Sequence, residues 1–268
     1  MSTREIFAII ALRMKKGDKR EIMEACPWPF INDTKKHIIS LVGGGGKTTI
    51  MYELANYYAA ASKRVVVFTT THIWPPRNSA AVANGCNACG AYAVDLSAVQ
   101  RLWQQGGYEV IGTLEQGTGK LIAPAAELLE HALELCDIAI IEADGAKQMP
   151  CKLPAEHEPV LLPVSDIVIA VAGLDALGKS LEEVCFRWQL GREIFGSSCN
   201  LLFDEAKLVQ VLLSEHGSRK AVGARDFYIA LNKCDTVAAA VALHVCELLA
   251  ARGLALDRIW LRSWQRKF

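Results

Sequence analysis

The sequence predicts an α/β domain in which helices flank a mostly parallel, doubly wound sheet. Short β-rich runs alternate along the chain with longer segments of helical period, which is the pattern of consecutive βαβ units. Some runs, such as DIAIIE at residues 137–142, are almost wholly apolar, as expected for strands buried on both faces of a sheet. The length of 268 residues accommodates one large domain of this kind.

The predicted elements follow in chain order. Residues 1–36 are expected to form a helical appendage and residues 37–268 the domain itself. Strands are predicted at His37–Val42, Val65–Thr70, Asp137–Glu142, Ile167–Val171 and Phe227–Leu231, with weaker candidates at Tyr108–Gly112 and near Ile259. Helices are predicted at Lys47–Ser62, Pro124–Leu135, Asp204–Glu215 and Thr236–Arg252. Pro124 in a first turn and Asp204 as an N-cap are ordinary helix start signals.

Composition excludes several classes of protein. The chain has 29 Lys and Arg residues against 29 Asp and Glu residues, and 51% of its residues are apolar. A disordered tail and a basic polyanion binder are therefore excluded, and we expect no nucleic-acid partner. No apolar stretch is long enough for a membrane span, so we expect no membrane partner either. The nine cysteines lack the density of a disulfide scaffold, which favours a cytoplasmic location.

The glycine run between the first predicted strand and its helix predicts a phosphate-binding loop. Residues without a Cβ let backbone N–H groups surround a phosphate, and the helix N-terminus adds its positive end. Lys47 is the expected partner of the β- and γ-phosphates, and the Thr48 hydroxyl can ligate Mg²⁺. Because Leu41 replaces the usual first glycine, the segment is similar to the compact G-G-x-G-K-T-T form of the P-loop. The predicted nucleotide-binding residues here are Gly43, Gly44, Gly45, Gly46, Lys47, Thr48 and Thr49.

A second nucleotide motif follows a late strand and resembles the guanine-recognition motif of GTPases. The Asp235 carboxylate can accept hydrogen bonds from N1–H and the exocyclic amine of guanine, a donor pair that adenine lacks. Lys233 is expected to lay its alkyl stem along the base, and Asn232 to connect this loop to the phosphate loop. The motif favours GTP, with ATP left open.

Acidic residues at the end of the DIAIIE strand predict a magnesium site, because ligands of open parallel sheets bind at the carboxyl ends of the strands. In the [DE]-x-x-G pattern of GTPases, Glu142 would hold a magnesium water and the N–H of Gly145 would contact the γ-phosphate. Asp144 is a second candidate for the metal. The predicted metal-binding residues are thus Thr48, Glu142 and Asp144.

The second predicted strand leads into three threonines and His72. In P-loop proteins this segment lies near the γ-phosphate, so Thr69 to His72 are expected to sense nucleotide or bind a partner. His72 joins Lys47, Glu142 and Asp144 as a catalytic candidate, although a packed or solvated histidine is the alternative. Arg77 is a further candidate for stabilising charge on the phosphates.

Together these segments resemble the YqeC family, accessory proteins of selenium-dependent molybdenum hydroxylases, over about residues 37–235. The resemblance is most specific in GGGGKTT with TTTHI, in EADGAK through PAEHEP, and in GLDALGK followed by Arg187. It implies a P-loop NTPase related to metallocentre-maturation GTPases, whose partners are a molybdenum hydroxylase or its cofactor-maturation proteins. It also adds candidate residues, which are Lys147, Lys152, His157, Glu158, Lys179 and Arg187. Lys147 and Lys152 suit an anion such as a pterin phosphate, and solvated loop charges are the alternative.

The sequence therefore predicts a protein that binds Mg·GTP and hydrolyses it slowly while it services a selenium-dependent molybdenum hydroxylase. Two alternatives stay open. One is a small-molecule kinase or nucleotidyl transferase on the same phosphate loop, and the other is a non-hydrolysing scaffold gated by nucleotide. Cys86 and Cys89 form a C-x-x-C without a second pair, so we expect two free thiols in a loop.

Overall fold

A computed structural model describes residues 35–74, 100, 103–104, 107–196 and 202–262 of the chain. Most of the predicted N-terminal appendage lies outside the described residues. Arg77, Cys86 and Cys89 lie outside them as well, so their expected roles stay predictions.

The strands agree with the predicted positions within one or two residues for every major element. In chain order they are β1 (His37–Gly43), β2 (Val65–Thr69), β3 (Tyr108–Val110), β4 (Thr113–Leu114), β5 (Leu121–Ile122), β6 (Ile138–Glu142), β7 (Cys151–Lys152), β8 (Ile167–Gly173), β9 (Lys179–Ser180), β10 (Cys185–Phe186), β11 (Leu202–Phe203), β12 (Asp226–Asn232) and β13 (Ile259–Leu261). The short strands were not expected, because two residues carry no periodicity that a sequence can reveal.

Seven strands form one sheet in the order β13-β12-β8-β1-β6-β2-β3. Every neighbouring pair in this sheet is parallel, which confirms the predicted sheet type. β1 is central and wholly buried, as its apolar sequence requires. Because all seven strands run the same way, their carboxyl ends lie along a single edge of the sheet.

Helices cover both faces of the sheet. In chain order they are α1 (Lys47–Ala60), α2 (Ala126–Leu135), α3 (Leu181–Val184), α4 (Arg192–Phe195), α5 (Glu205–Leu213) and α6 (Ala239–Ala251). α1 packs on one face, where Ile39 and Leu41 of β1 contact its apolar stripe, and α2, α5 and α6 pack on the other. This arrangement confirms the predicted α/β class. At 14 residues, α1 is the longest described helix, and none of the described helices could cross a membrane.

Helix boundaries follow the capping chemistry of the sequence. Asp204 caps α5, because its Oδ1 accepts a hydrogen bond from the Lys207 backbone N–H at 2.8 Å. α1 differs, since its N-cap residue is Gly46 and no side chain caps its first turn. The first-turn amides of α1 therefore face the carboxyl edge of the sheet without the usual side-chain acceptor.

Candidate nucleotide site

Three loops meet at the carboxyl edge of the sheet, where β1, β6 and β12 end. The β1 loop carries the glycine run, the β6 loop carries Asp144, and the β12 loop begins at Asn232. Strand register brings them together, because Leu41 pairs with Glu142 on one side of β1, and Gly43 pairs with Val171 of β8 on the other. Segments that are distant in sequence thus form one compact site.

The four glycines are required by how closely the loops approach one another. A Cβ on Gly45 would lie 2.2 Å from the backbone N of Gly173, and one on Gly46 would lie 2.3 Å from Asn232 Nδ2. Gly45 and Gly46 also have positive φ values of 76° and 120°, which favour glycine. Sequence reasoning assigned the glycines to phosphate binding alone, whereas the structure also requires them for packing between the loops.

Only part of the loop backbone remains for a ligand. The amides of Gly43 to Gly45 already donate hydrogen bonds within the protein. Their acceptors are, in order, Asp144 Oδ2 at 3.1 Å, Val171 O at 2.9 Å and Met149 O at 2.9 Å. Within the described ranges, the amides of residues 46–49 donate to no protein acceptor. The backbone amides that remain available to a ligand are therefore those at the start of α1, and the amides of the first three glycines are not available.

Lys47 is buried and lies against two carboxylates. Its Nζ is 3.1 Å from Asp144 Oδ1 and 4.0 Å from Glu142 Oε1, and it also donates to Gly43 O. Burial disfavours the ammonium, but Asp144 and Glu142 more than offset this and raise the pKa of Lys47. Lys47 is therefore a fixed positive charge at the phosphate loop, and a phosphate must compete with Asp144 for it.

Thr48 and Glu142 form a pair of oxygen donors suited to magnesium. Thr48 Oγ1 donates to Glu142 Oε2 at 2.7 Å, across the gap between α1 and β6. Burial raises the pKa of Glu142, and Lys47 together with the Thr48 hydroxyl offsets only part of this effect. The described residues contain no group of three or more His, Cys, Asp or Glu side chains that could enclose a metal. Mg²⁺ commonly takes one or two protein ligands beside phosphates and water, so this pair fits it.

Asp144 is more deeply engaged by protein than Glu142. Its Oδ2 accepts from the Gly43 amide and lies 3.3 Å from Lys152 Nζ, while its Oδ1 faces Lys47. Because these partners are the last residue of β1, the first residue of α1 and a residue of β7, Asp144 holds the glycine run against β7. Its candidate role in metal binding stays a prediction.

Lys152 extends the charged cluster towards the surface. Its side chain is fully buried, and its Nζ contacts Glu158 Oε2 at 2.7 Å and donates to Gly145 O at 2.6 Å. Burial lowers the pKa of Lys152, although Asp144 and Glu158 counteract this. Glu158 also accepts from Arg187. These contacts form a continuous series of ion pairs, Lys47–Asp144–Lys152–Glu158–Arg187, which we call the ion-pair series.

A half-exposed aromatic ring stands at the outer end of this series. Arg187 lies 4.5 Å and the Lys147 ammonium 5.1 Å from the centroid of the Phe186 ring. Lys147 and Arg187 both have left-handed backbone conformations, with φ values of 47° and 62°. Non-glycine residues seldom adopt this conformation unless their surroundings enforce it. The resemblance named both cations, but no sequence signal pointed to Phe186.

The β12 loop contacts the phosphate loop directly. Asn232 Nδ2 donates to Gly45 O at 2.7 Å, which is the connection expected from the motif. Lys233 has a left-handed backbone, and its Nζ lies 2.7 Å from Asp175 Oδ2. Asp235 is exposed at the start of the following turn, where a base could reach its carboxylate. Recognition of a base by Lys233 and Asp235 stays a prediction, and Asp175 is an addition to this loop cluster.

The remaining candidates are placed differently. His72 is half-exposed and its Nε2 lies 3.2 Å from Glu115 Oε1, so the structure does not bring it into contact with Lys47 or Glu142. Thr69 is closer, because its Oγ1 donates to Glu142 O at 2.9 Å. His157 and Lys179 are exposed, and neither joins the ion-pair series.

Asp175 is the site residue that sequence reasoning missed. It lies in GLDALGK, one turn after β8, and only Lys179 and Arg187 were singled out in that region. A carboxylate that directly follows an apolar strand was the available signal, since Glu142 was found in this way.

Comparison with known proteins agrees with the geometry. Residues 39–189 match the model of the family described as YqeC protein. The chain is also 30% identical over 190 residues to the protein named uncharacterized protein YqeC from Escherichia coli strain K12. That alignment covers 69% of this chain and 71% of the relative. The matched region contains β1, the glycine run, the acidic β6 loop and GLDALGK, and on this basis the chain belongs to the YqeC family.

Proposed function

We propose that the protein binds Mg·GTP at the three loops and hydrolyses it slowly. The observation that carries this proposal is the hydrogen bond from Asn232 Nδ2 to Gly45 O, which fixes a candidate base-reading loop to a candidate phosphate loop. A single nucleotide would then bind residues from both loops at once. A glycine-rich hinge without ligand would not need the β12 loop beside it.

Each residue near the phosphates has a separable task. Amides at the start of α1 and the Lys47 ammonium bind phosphate oxygens, and Thr48 with Glu142 holds the metal. When bound, Mg²⁺ offsets negative charge on the phosphates. Asp144 keeps Lys47 in place until phosphate arrives, and it retains Lys152 and the Gly43 amide as partners afterwards. Both carboxylates near Lys47 are already engaged by protein groups, Asp144 by Lys152 and the Gly43 amide and Glu142 by the Thr48 hydroxyl, which supports slow turnover.

A wider role is suggested by the resemblance described in the sequence analysis. We propose that the protein assists the maturation of selenium-dependent molybdenum hydroxylases, as the resemblance implies. Its partner would be the hydroxylase or a protein that prepares the molybdenum cofactor. In cells that make such a hydroxylase, loss of the gene should lower hydroxylase activity without lowering the amount of hydroxylase protein. Full activity in those cells would remove this role.

A nucleotide-binding panel tests the biochemical proposal. Calorimetry with GTP, ATP and CTP in the presence of Mg²⁺ should show the tightest binding for GTP. Phosphate release should then be measured for each nucleotide that binds. Absence of binding by all three would remove the phosphate-loop assignment, and equal binding of ATP and GTP would remove guanine recognition.

A second candidate function is phosphoryl transfer to an anionic small molecule. The observation that favours it is the group of Lys147 and Arg187 around Phe186, at the end of the loop that follows Glu142. Cations beside a half-exposed ring suit an acceptor that is both planar and anionic. Transfer of label from γ-labelled GTP to small molecules in a cell extract would establish it, whereas release of inorganic phosphate alone would favour hydrolysis.

A further inference from the structure

Asp175 and Lys233 form an ion pair between two loops that sequence analysis treated separately. Lys233 Nζ lies 2.7 Å from Asp175 Oδ2, and both side chains are about three-quarters buried. Lys233 belongs to the candidate base-reading loop after β12. Asp175 belongs to the short turn after β8, in GLDALGK. Neither the matched family description nor the GTPase motif assigns a task to Asp175.

The register between β8 and β12 brings Asp175 and Lys233 together. β8 and β12 are parallel neighbours, and Asn232 is in register with Gly173, so the chain leaves both strands at the same height. Each strand is followed by a short 3₁₀ turn, at Leu174–Ala176 and at Cys234–Thr236. The two turns therefore lie side by side, and Asp175 faces Lys233 without a long connecting loop.

The second carboxylate oxygen of Asp175 is buried beside the backbone of Gly173. This Oδ1 atom would lie 2.3 Å from a Cβ on Gly173, so only glycine at that position lets the carboxylate approach. Gly173 in turn approaches Gly45 so closely that a Cβ on Gly45 would lie 2.2 Å from the Gly173 amide nitrogen. Asp175 therefore packs beside the segment that contacts the glycine run, and Lys233 is the partner that its carboxylate has there.

Without a fixed partner, the Lys233 side chain would not stay in the position where its stem can support a base. Without a partner, Lys233 would extend into water or towards the phosphates, because a lysine ammonium is strongly hydrated and its stem is flexible. An ion pair at the far end of the side chain keeps the methylene groups extended. The stem then offers an apolar surface at the place where a purine would stack.

We propose that Asp175 is a positioning residue for nucleotide specificity: it holds Lys233 so that the lysine stem supports a purine base. This inference rests on the proposed function, because it assumes that a nucleotide base binds beside Lys233. It adds that Asp175 acts on the base alone and not on the phosphates. Loss of Asp175 should therefore weaken the binding of ligands that carry a base and leave the binding of ligands without a base nearly unchanged.

Calorimetry with Mg·GTP and with Mg·tripolyphosphate, which has no base, separates these effects. Asp175→Ala should weaken GTP binding about tenfold and change tripolyphosphate binding less than about twofold. Lys233→Met keeps an unbranched apolar stem and removes the charge. In the Lys233→Met background, Asp175→Ala should therefore cost less than about twofold in GTP affinity.

Matched variants keep the test decisive. Asp226→Asn is the control, because Asp226 forms a more exposed ion pair with Arg258 at 2.8 Å on the opposite end of β12. This substitution should change neither the GTP nor the tripolyphosphate affinity. If the Asp175→Ala variant does not fold, Asp175→Asn replaces it, because asparagine preserves the shape of the side chain. Asp175→Asn should also weaken GTP binding more than tripolyphosphate binding, with a smaller loss of GTP affinity than Asp175→Ala.

The outcomes distinguish this inference from the proposed function. If the parent binds no GTP, both are wrong. If the parent binds GTP and Asp175→Ala binds it equally well, only the role of Asp175 is wrong. A loss of both ligands to the same extent, or a full tenfold loss in the Lys233→Met background, would show a merely structural role and would also overturn the inference.

Discussion

Asn232 and Gly45 are joined by a hydrogen bond of 2.7 Å from the asparagine amide to the glycine carbonyl. Both groups are buried, so little water competes for the bond. The contact fixes the distance between the loop that would bind the base and the loop that would bind the phosphates. Nucleotide affinity should therefore depend on residues in both loops. It should also depend on the neighbouring side chains that hold each loop in place.

Lys47→Ala should weaken Mg·GTP binding about 100-fold, because it removes the cation expected to contact the phosphates. It should also destabilise the fold by roughly 3 kcal/mol, since Asp144 and Glu142 would lose a buried partner. A lysine that served phosphate binding alone could be removed with little effect on the fold, but Lys47 is buried against two carboxylates. Calorimetry and chemical denaturation measure the two effects.

The matched double variant Lys47→Ala with Asp144→Asn separates binding from stability. Removing the Asp144 charge should recover most of the lost stability, because the carboxylate no longer lacks its cation. Nucleotide binding should stay weak. If GTP binds both variants as tightly as the parent, Lys47 is not a phosphate ligand.

Asp235→Asn should shift base preference from GTP towards xanthosine triphosphate, whose 2-oxo group suits an amide donor. We expect the parent to discriminate between GTP and ATP by roughly 2 kcal/mol, since adenine lacks the pair of donors that guanine offers to the Asp235 carboxylate. Competition against labelled GTP by each nucleotide gives these values. Equal competition by ATP in the parent would make the N-K-x-D motif a coincidence.

Glu142→Gln should lower magnesium-dependent turnover at least about tenfold while nucleotide binding changes little. The substitution removes a charge beside the metal but leaves the Lys47 side chain and the α1 amides intact. Thr48 can still donate to the amide oxygen, so the local geometry should persist. Phosphate release across a magnesium titration checks this, and parent-like turnover would remove Glu142 from the metal site.

Glu109 predicts a pH dependence of stability that is separate from the nucleotide site. It lies buried in β3, and burial raises its pKa to about 7. Because the folded protein then holds the proton more tightly than the unfolded chain does, stability falls as pH rises from about 4.5 to about 7. Above pH 7 the loss is complete and amounts to something on the order of 3 kcal/mol.

Glu109→Gln removes this titration, so the variant should be more stable than the parent at pH 8 and similar to it at pH 5. Urea denaturation at both pH values measures the difference. The exposed Glu130→Gln on α2 is the control and should show no such pH dependence. A parent whose stability is constant between pH 5 and pH 8 would contradict the expectation.

The sequence was sufficient for the sheet and for the main loops because both depend on local signals. Apolar runs such as Ile138–Glu142 have the length and composition of buried strands, and glycines followed by Lys47 indicate the passage from a strand into a helix. The positions of Lys47, Glu142 and Asn232 follow once the strands are parallel, since parallel strands end at one edge.

Side-chain partners could not be predicted in the same way, because they depend on strand order. Nothing in the sequence states that β8 lies between β1 and β12, and that order is what places Asp175 beside Lys233 and Val171 beside Gly43. The ion-pair series also depends on β7 pairing with β10, two strands of two residues each. A strand of two residues has no periodic sequence pattern that would distinguish it from a loop.

The contact between Asn232 and Gly45 also has a consequence for synthesis of the protein. These residues are 187 positions apart, and β12 must join the sheet before they can meet. A ribosome therefore completes the glycine run long before it supplies the side chain that closes the site. A nascent chain that ends before β12 would lack this contact, so the loop after β1 reaches its final arrangement only once residue 232 has been translated.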